Sequence, residues 1–266
     1  MRFSLRTLCL WGGLLAFVSN AQALGTDPNL LFRHILPDQL ESVGAISGIA
    51  QDPQGFMWFA GENGLARYDG YGLTVYRHEE GKAGSLSQSK VNFVTTTRDK
   101  VLWVGTLAGL NRYNPDTDQF DVYSHPIDSP HAVSVNDVQA LVEDQKGRLW
   151  LATRGGLYGF DRDTATFTRH EFEVYPRNGE GDTLVMSLVE DRQGYLWLGT
   201  HTGGLIRFDP DSRTFSYYRQ KPDDPTSLSF NDVRGLFVDS KNNLITTQPK
   251  PTFNTLSGIG GVRRAT

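Results

Sequence analysis

Six histidines stand at His34, His78, His125, His131, His170 and His201, and only His125 and His131, six apart, are near enough to suggest a metal pair. No neighbouring Asp, Glu or His completes a four-ligand set around them, so no metal ligand is assigned. Acyl transfer from a nucleophile elbow needs Gly-x-Ser-x-Gly, and phosphoryl chemistry needs a Walker loop; the chain has neither. Gly258-Ile259-Gly260-Gly261 follows no strand pattern and opens no helix, so it is not a nucleotide fingerprint. Paired carboxylates could hydrolyse a glycosidic bond. Most of them, Asp52, Asp144, Asp161, Asp191 and Asp209 included, recur at turn positions, where structure accounts for them. Two sets remain that could bind rather than react. Trp58, Trp103, Trp150 and Trp197 could stack on sugar rings, but a residue copied into every repeat reads as core. Arg67, Arg112 and Arg207 could form a cationic ring, but Gly159 interrupts it, so they read as packed stems with solvated heads. No catalytic residue, cofactor or metal is assigned.

The elements that carry these residues are repeats. The four tryptophans are spaced by 45, 47 and 47 residues, a period that means stacked supersecondary units. Twelve residues before each Trp stand Ile46, Val91, Val138 and Val185; nine before stand Ile49, Val94, Leu141 and Leu188. Six before come Asp52, Thr97, Asp144 and Asp191, and three before come Gly55, Lys100, Gly147 and Gly194. Behind each Trp lies a Gly-Leu step (Gly64-Leu65, Gly109-Leu110, Gly156-Leu157, Gly204-Leu205), then Tyr68-Asp69, Tyr113-Asn114, Phe160-Asp161 or Phe208-Asp209. The third repeat predicts four strands: Val138–Glu143, Arg148–Thr153, Gly156–Asp161 and Thr166–Glu171. Asp opens the first turn, and Gly closes it where φ must be positive. Continuous apolar runs such as Leu149-Trp150-Leu151-Ala152 fit sheets covered on both faces. The apolar spacing is 2 or continuous, never 3.6, which excludes a helical solenoid. The expected fold is all-β: a β-propeller of four-stranded antiparallel blades, four full repeats plus a partial fifth over residues 24–244.

The 266-residue chain has 26 Lys+Arg against 30 Asp+Glu, so it offers no basic surface for nucleic acid. Arg2 and Arg6 precede an apolar run from Leu8 to Val18 and then Ala21-Gln22-Ala23, the layout of a cleavable signal peptide over 1–23. That run is too short for a hydrocarbon core, which needs about 20 helical residues. The one cysteine, Cys9, lies inside the run and leaves with it, so the mature chain is thiol-free. The expectation is an exported, periplasmic protein with no membrane span in its mature part.

Gly194-Tyr195-Leu196-Trp197-Leu198-Gly199-Thr200, followed by Gly204-Leu205-Ile206-Arg207-Phe208-Asp209-Pro210, resembles the two-component regulator propeller repeat. So does Leu102-Trp103-Val104-Gly105-Thr106 with Gly109-Leu110-Asn111-Arg112-Tyr113-Asn114-Pro115. Thr226-Ser227-Leu228-Ser229-Phe230-Asn231-Asp232-Val233 looks like that family's run into the next blade, with counterparts at 85–91 and 132–138. The resemblance implies a periplasmic sensor propeller of a transmembrane receptor that ends in a histidine kinase or a diguanylate cyclase. It also implies an extracellular ligand, commonly a carbohydrate. The alternatives are a protein-interaction propeller and a secreted carbohydrate-active enzyme of the sialidase kind. The sialidase turn motif resembles Asp52-Pro53-Gln54-Gly55, but there it is one residue shorter, and no arginine triad accompanies it.

The pattern breaks at its end. Val233, Leu236, Asp239 and Asn242 keep the register, but Ile245 stands where Trp is expected. Residues 245–266 hold Lys250, Arg263 and Arg264 and no acid, and they read as an atypical, structureless tail of a truncated member whose output domains are missing, the alternative being a natural closing segment that wraps back to the first blade. Four blades of a family that uses more would form an open arc. Its two uncovered blade faces would favour self-association.

Overall fold

The computed structural model describes residues 40–125, 132–173, 176–177, 180–181, 183–249, 253–256 and 262–264; the expected signal peptide, 1–23, lies outside them. The strands form five antiparallel four-stranded meanders. The first sheet is β1 (Ile46–Gln51), β2 (Met57–Gly61), β3 (Gly64–Tyr68) and β4 (Leu73–Tyr76). The second is β5 (Val91–Thr96), β6 (Leu102–Thr106), β7 (Gly109–Asn114) and β8 (Gln119–Tyr123). A short helix, α1 (Ala132–Asn136), leads into β9 (Val138–Glu143), β10 (Leu149–Thr153), β11 (Gly156–Asp161) and β12 (Thr166–His170). A two-residue ladder, β13 (Pro176–Arg177) with β14 (Glu180–Gly181), precedes β15 (Val185–Glu190), β16 (Leu196–Thr200), β17 (Leu205–Asp209) and β18 (Thr214–Tyr218). The third sheet matches its sequence prediction to within one residue at every strand end.

The fold is a β-propeller arrangement in which successive sheets stack through their first strands: β1 on β5, β5 on β9, and β9 on β15. Each tryptophan fills the gap to the following sheet. Trp58 and Leu65 meet Val91, Val94 and Phe120; Trp103 and Leu110 meet Val138, Leu141 and Phe160. Trp150 and Leu157 meet Val185, Leu188 and Phe208, and Trp197 and Leu205 meet Leu228 and Val233. All four indoles are buried, as a core reading requires.

The inner strands bury residues three apart, such as Val91 and Val94, which a flat period-2 strand would place on opposite faces. A register shift in each of the first four sheets explains this. It falls between Ile46 and Gly48, between Val91 and Phe93, opposite Ala152 and Thr153, and between Val185 and Ser187. The extra residue of the bulge turns both apolar side chains toward the preceding sheet.

The fifth sheet is β19 (Gly235–Val238), β20 (Leu244–Thr247), β21 (Phe253–Leu256) and β22 (Val262–Arg264). As a repeat it is partial, lacking the Trp and the Gly-Leu step. Within the expected structureless tail, 245–266, the backbone pairs as strands over 245–247, 253–256 and 262–264. β-rich sequences such as Phe253-Asn254-Thr255-Leu256 can ladder onto β20 without the repeat's aromatic signature.

The first sheet has no described sheet before it. Ile49 is 58% exposed, whereas Val94, Leu141 and Leu188 at the same repeat position are 5–7% exposed. Ile46 and, in the fifth sheet, Phe237 are also exposed.

Candidate functional site

Three of the four repeats place an Asp six residues before the Trp, and its carboxylate has two jobs. In the first sheet Oδ1 of Asp52 accepts from the amides of Gln54 (3.0 Å) and Phe56 (2.9 Å), closing the β1–β2 turn. Oδ2 accepts from the Trp58 indole at 2.7 Å. Asp144 and Asp191 repeat this with Trp150 (2.9 Å) and Trp197 (2.7 Å). In the second sheet Thr97 takes the position and hydrogen-bonds Asp99 and the Val101 carbonyl, so the buried Trp103 indole nitrogen has no acceptor. These carboxylates are structural. The turn reading of the sequence was right, and the indole bond was the part it missed.

Among the described residues no three His, Cys, Asp or Glu are grouped to hold a metal. His131 and His34 lie outside those residues. His125 packs its ring on Tyr158 and Phe167, and its Nε2 is buried without a hydrogen-bond partner. His78 bonds the Leu86 carbonyl through Nδ1 at 2.8 Å.

The arginine positions are more informative. Arg67, Arg112, Gly159 and Arg207 each lie directly across a strand pair from their sheet's tryptophan. At the junction of sheets one and two, Arg67 sits over the rings of Phe56, Trp58 and Tyr76 at 5.4–5.6 Å. Its Nη1 donates to the Tyr113 hydroxyl (2.6 Å) and to Oδ1 of Asp118 (2.9 Å). Tyr76 and Tyr113 donate to the same Oδ1 at 2.7 and 2.6 Å. Burial works to raise the Asp118 carboxyl, but these hydroxyls and the guanidinium outweigh it and hold it below the usual range. Burial first, and then the bond to Asp118, push the Tyr113 phenol up to about 12. The expected stem packing is present, but this arginine head is engaged rather than solvated. Arg112 instead pairs with Asp121 of its own sheet at 2.7 Å, and Arg207 lies over Tyr195 at 4.5 Å.

At the junction of sheets three and four the same positions hold other residues. Gly159 replaces the arginine, His170 stands for Tyr76, Phe208 for Tyr113, and Arg213 for Asp118. With no side chain at 159, a cleft of about 490 Å³ opens, lined by Trp150, Gly159, His170, Arg148, Arg162 and Arg213 among others. A Cβ on Gly159 would meet nothing nearer than His170 Nε2 at 3.5 Å. Arg148 is held by Asp144 (2.5 Å) and Asp211 (3.1 Å), and Arg162 by Glu143 (3.0 Å) and Asp99. Burial, and secondarily the charge of Arg213, lower the pKa of His170, favouring its neutral form. The sequence exposed the gap at Gly159, but not Arg213 on the opposite wall. Aligning the residue five after each aromatic (Asp118, Ala165, Arg213) would have found it.

Residues 132–155 and 179–202 match the family described as Two component regulator propeller. No curated protein matches the sequence. The fold is similar to the extracellular domain of the hybrid two component system BT3049 from B. thetaiotaomicron, at 27% identity and TM-score 0.66, covering 81% of this chain. It is similar also to that of BT4673 from the same organism, at 24% identity and TM-score 0.64 over 76% of this chain. This chain spans 29% and 26% of those two domains. Virginiamycin B lyase from Staphylococcus aureus shares the fold at 14% identity and TM-score 0.62, with 83% of this chain and 69% of the lyase covered. No helix among the described residues is long and apolar enough to cross a membrane.

Proposed function

We propose, from the premise that this chain carries two-component regulator propeller repeats, that it is the periplasmic ligand-sensing propeller region of a transmembrane signalling receptor. The receptor is of the histidine kinase or diguanylate cyclase type. The observation that carries the reading is the position of the matched segments. Each covers the lead-in and first two strands of a blade, sheets three and four, and these two blades flank the cleft at Gly159. The 27% identical extracellular domain supports the same role. Segment 1–23 supplies the export signal, and processing after Ala23 leaves Leu24 as the first residue. The ligand is extracellular and carbohydrate-like in class, and no residue of this chain turns it over.

A ligand held between two blades contacts both, so its binding energy acts on their packing. Any state with a different blade-to-blade geometry is then disfavoured in proportion to its weaker affinity. That is the physical requirement for a sensor, and a single-sheet site would not meet it.

The test uses the exported chain, purified from the periplasm and screened by thermal shift against an oligosaccharide panel. The expected result is a mature N-terminus at Leu24 and a concentration-dependent rise in Tm with one sugar class. Turnover of a labelled oligosaccharide would establish an enzyme instead. Absence of any sugar response, together with specific capture of a periplasmic protein, would establish an interaction propeller.

A further inference from the structure

Two junctions of the same repeat differ at four equivalent positions: Arg67, Tyr76, Tyr113 and Asp118 at one, Gly159, His170, Phe208 and Arg213 at the other. Between sheets one and two, a guanidinium (Arg67) lies against the Trp58 and Tyr76 rings and bonds a carboxylate (Asp118) on the next sheet. Between sheets three and four the guanidinium is gone, and the position of the carboxylate carries Arg213. Asp118 and Arg213 share the same left-handed backbone, with φ of 54° and 58°, so their side chains leave equivalent positions. The space that Arg67 fills is open at Gly159, with His170 as its aromatic wall and the buried Trp150 reaching it only by an edge, its ring covered by Arg148. The two phenol hydroxyls of the first junction are absent, because Phe208 and His170 replace Tyr113 and Tyr76.

The charges around this space are not alike. Arg148 and Arg162 are each paired with two carboxylates. Asp161, also on the wall, accepts from the amides of Asp163 and Thr164 at 2.9 Å and is spent on its turn. The Arg213 guanidinium has no carboxylate partner among the described residues. Asp163 also lines the cleft, and Arg148 lies over the Trp150 ring at 5.5 Å. The cleft thus presents His170 and the edge of Trp150 as its aromatic wall, and Arg213 as its one cation without a carboxylate partner among the described residues.

We infer that the cleft at Gly159 binds a small organic carboxylate, whose apolar ring face lies on His170 and the edge of Trp150 in the volume Arg67 fills at the first junction, and whose charge is met by Arg213. Bidentate pairing of carboxylate and guanidinium fixes its orientation, and the ring face supplies the apolar contact. Sugar acids and aromatic acids share this chemistry. The inference deepens the sensor reading and rests on it.

The experiment is calorimetric titration of the full mature chain with glucuronate and with benzoate. Glucose and benzyl alcohol serve as the neutral counterparts, and Trp fluorescence is read alongside. At least one acid is expected to bind about tenfold or more tightly than its neutral counterpart, a difference of about 1.4 kcal/mol; which acid does so identifies the source. Gly159→Arg restores the residue of the other repeats and should abolish binding while the chain still folds; with Arg213 rather than a carboxylate opposite, a modest fall in Tm is expected. Arg213→Asp should abolish it too, and Arg213→Lys should retain part of it. Equal affinity for acid and neutral probe, no heat with either acid, or unchanged binding in Gly159→Arg would each overturn the inference. A chain that loses acid binding this way yet keeps its Tm response to a neutral oligosaccharide would leave the sensor reading standing. Loss of both responses in unsubstituted protein would remove the sensor reading as well.

Discussion

The Trp58 indole donates to Oδ2 of Asp52 at 2.7 Å, six residues back in the chain and across the first hairpin of its sheet. One carboxylate therefore closes the turn with Oδ1 and anchors the inter-sheet aromatic with Oδ2. Turn chemistry and blade packing are coupled through that single side chain, and its recurrence at Asp144 and Asp191 explains why the register of Asp, Gly and Trp is kept together.

Thr97 breaks this arrangement and leaves the Trp103 indole without an acceptor. Thr97→Asp is expected to stabilise the chain by about 1–2 kcal/mol, the scale of satisfying a buried donor. Thermal unfolding measures it. A lower Tm would mean that the carboxylate is not accommodated and that the bonds of Thr97 to Asp99 and Val101 matter more.

Lys100 occupies the turn position of Gly55, Gly147 and Gly194 with φ of 66°. A side chain there is strained, so Lys100→Gly should raise stability by roughly 0.5–1 kcal/mol, against the usual direction of a change to glycine. Denaturant midpoints of the two proteins decide it, and a decrease would show that the turn tolerates the side chain without strain.

Burial pushes the Asp144 carboxyl up, but the Trp150 indole, the Arg148 amide and the Arg148 guanidinium prevail and leave its pKa below 3.8. A depressed folded pKa contributes stability that is complete above the unfolded value and lost as pH falls through the folded one. Asp144→Asn should therefore be less stable at neutral pH, with the difference from the parent chain shrinking below pH about 4. Asp137, raised mainly by burial, runs the opposite way and cancels in the comparison, whereas Glu190, raised by burial and in part by the Asp144 charge, is relieved by Asp144→Asn and offsets part of the loss. A pH-independent difference would assign the effect to lost shape rather than charge.

Ile49 and Val94 share a repeat position but not an environment. Ile49→Lys should alter stability by no more than about 0.5 kcal/mol, whereas Val94→Lys buries an unpaired ammonium at about 3–5 kcal/mol. Light scattering adds a second readout. The apolar face of Ile46 and Ile49 is expected to drive self-association, so Ile49→Lys should lower the scattering mass. Equal destabilisation by the two changes would mean that a further element covers this face.

The sequence by itself determined the repeat, the four strands of each blade and the burial of the tryptophans. Those properties follow from local turn chemistry and from apolar positions copied at one period, so each repeat testifies for the others. It also exposed the irregularity at Gly159, because an absent copy is visible against its siblings. The bulge that lets Val91 and Val94 face one way, the second role of Asp52 and the ladder over 253–256 and 262–264 were decided only in three dimensions. So was the meeting of Gly159 with Arg213, 54 residues apart. Pairing across a junction depends on which residue of the next sheet lies opposite, and that is a property of stacking, not of any one strand. A missing arginine reads as a blank in one repeat. It becomes a cleft with a charged wall only when the following blade is set against it.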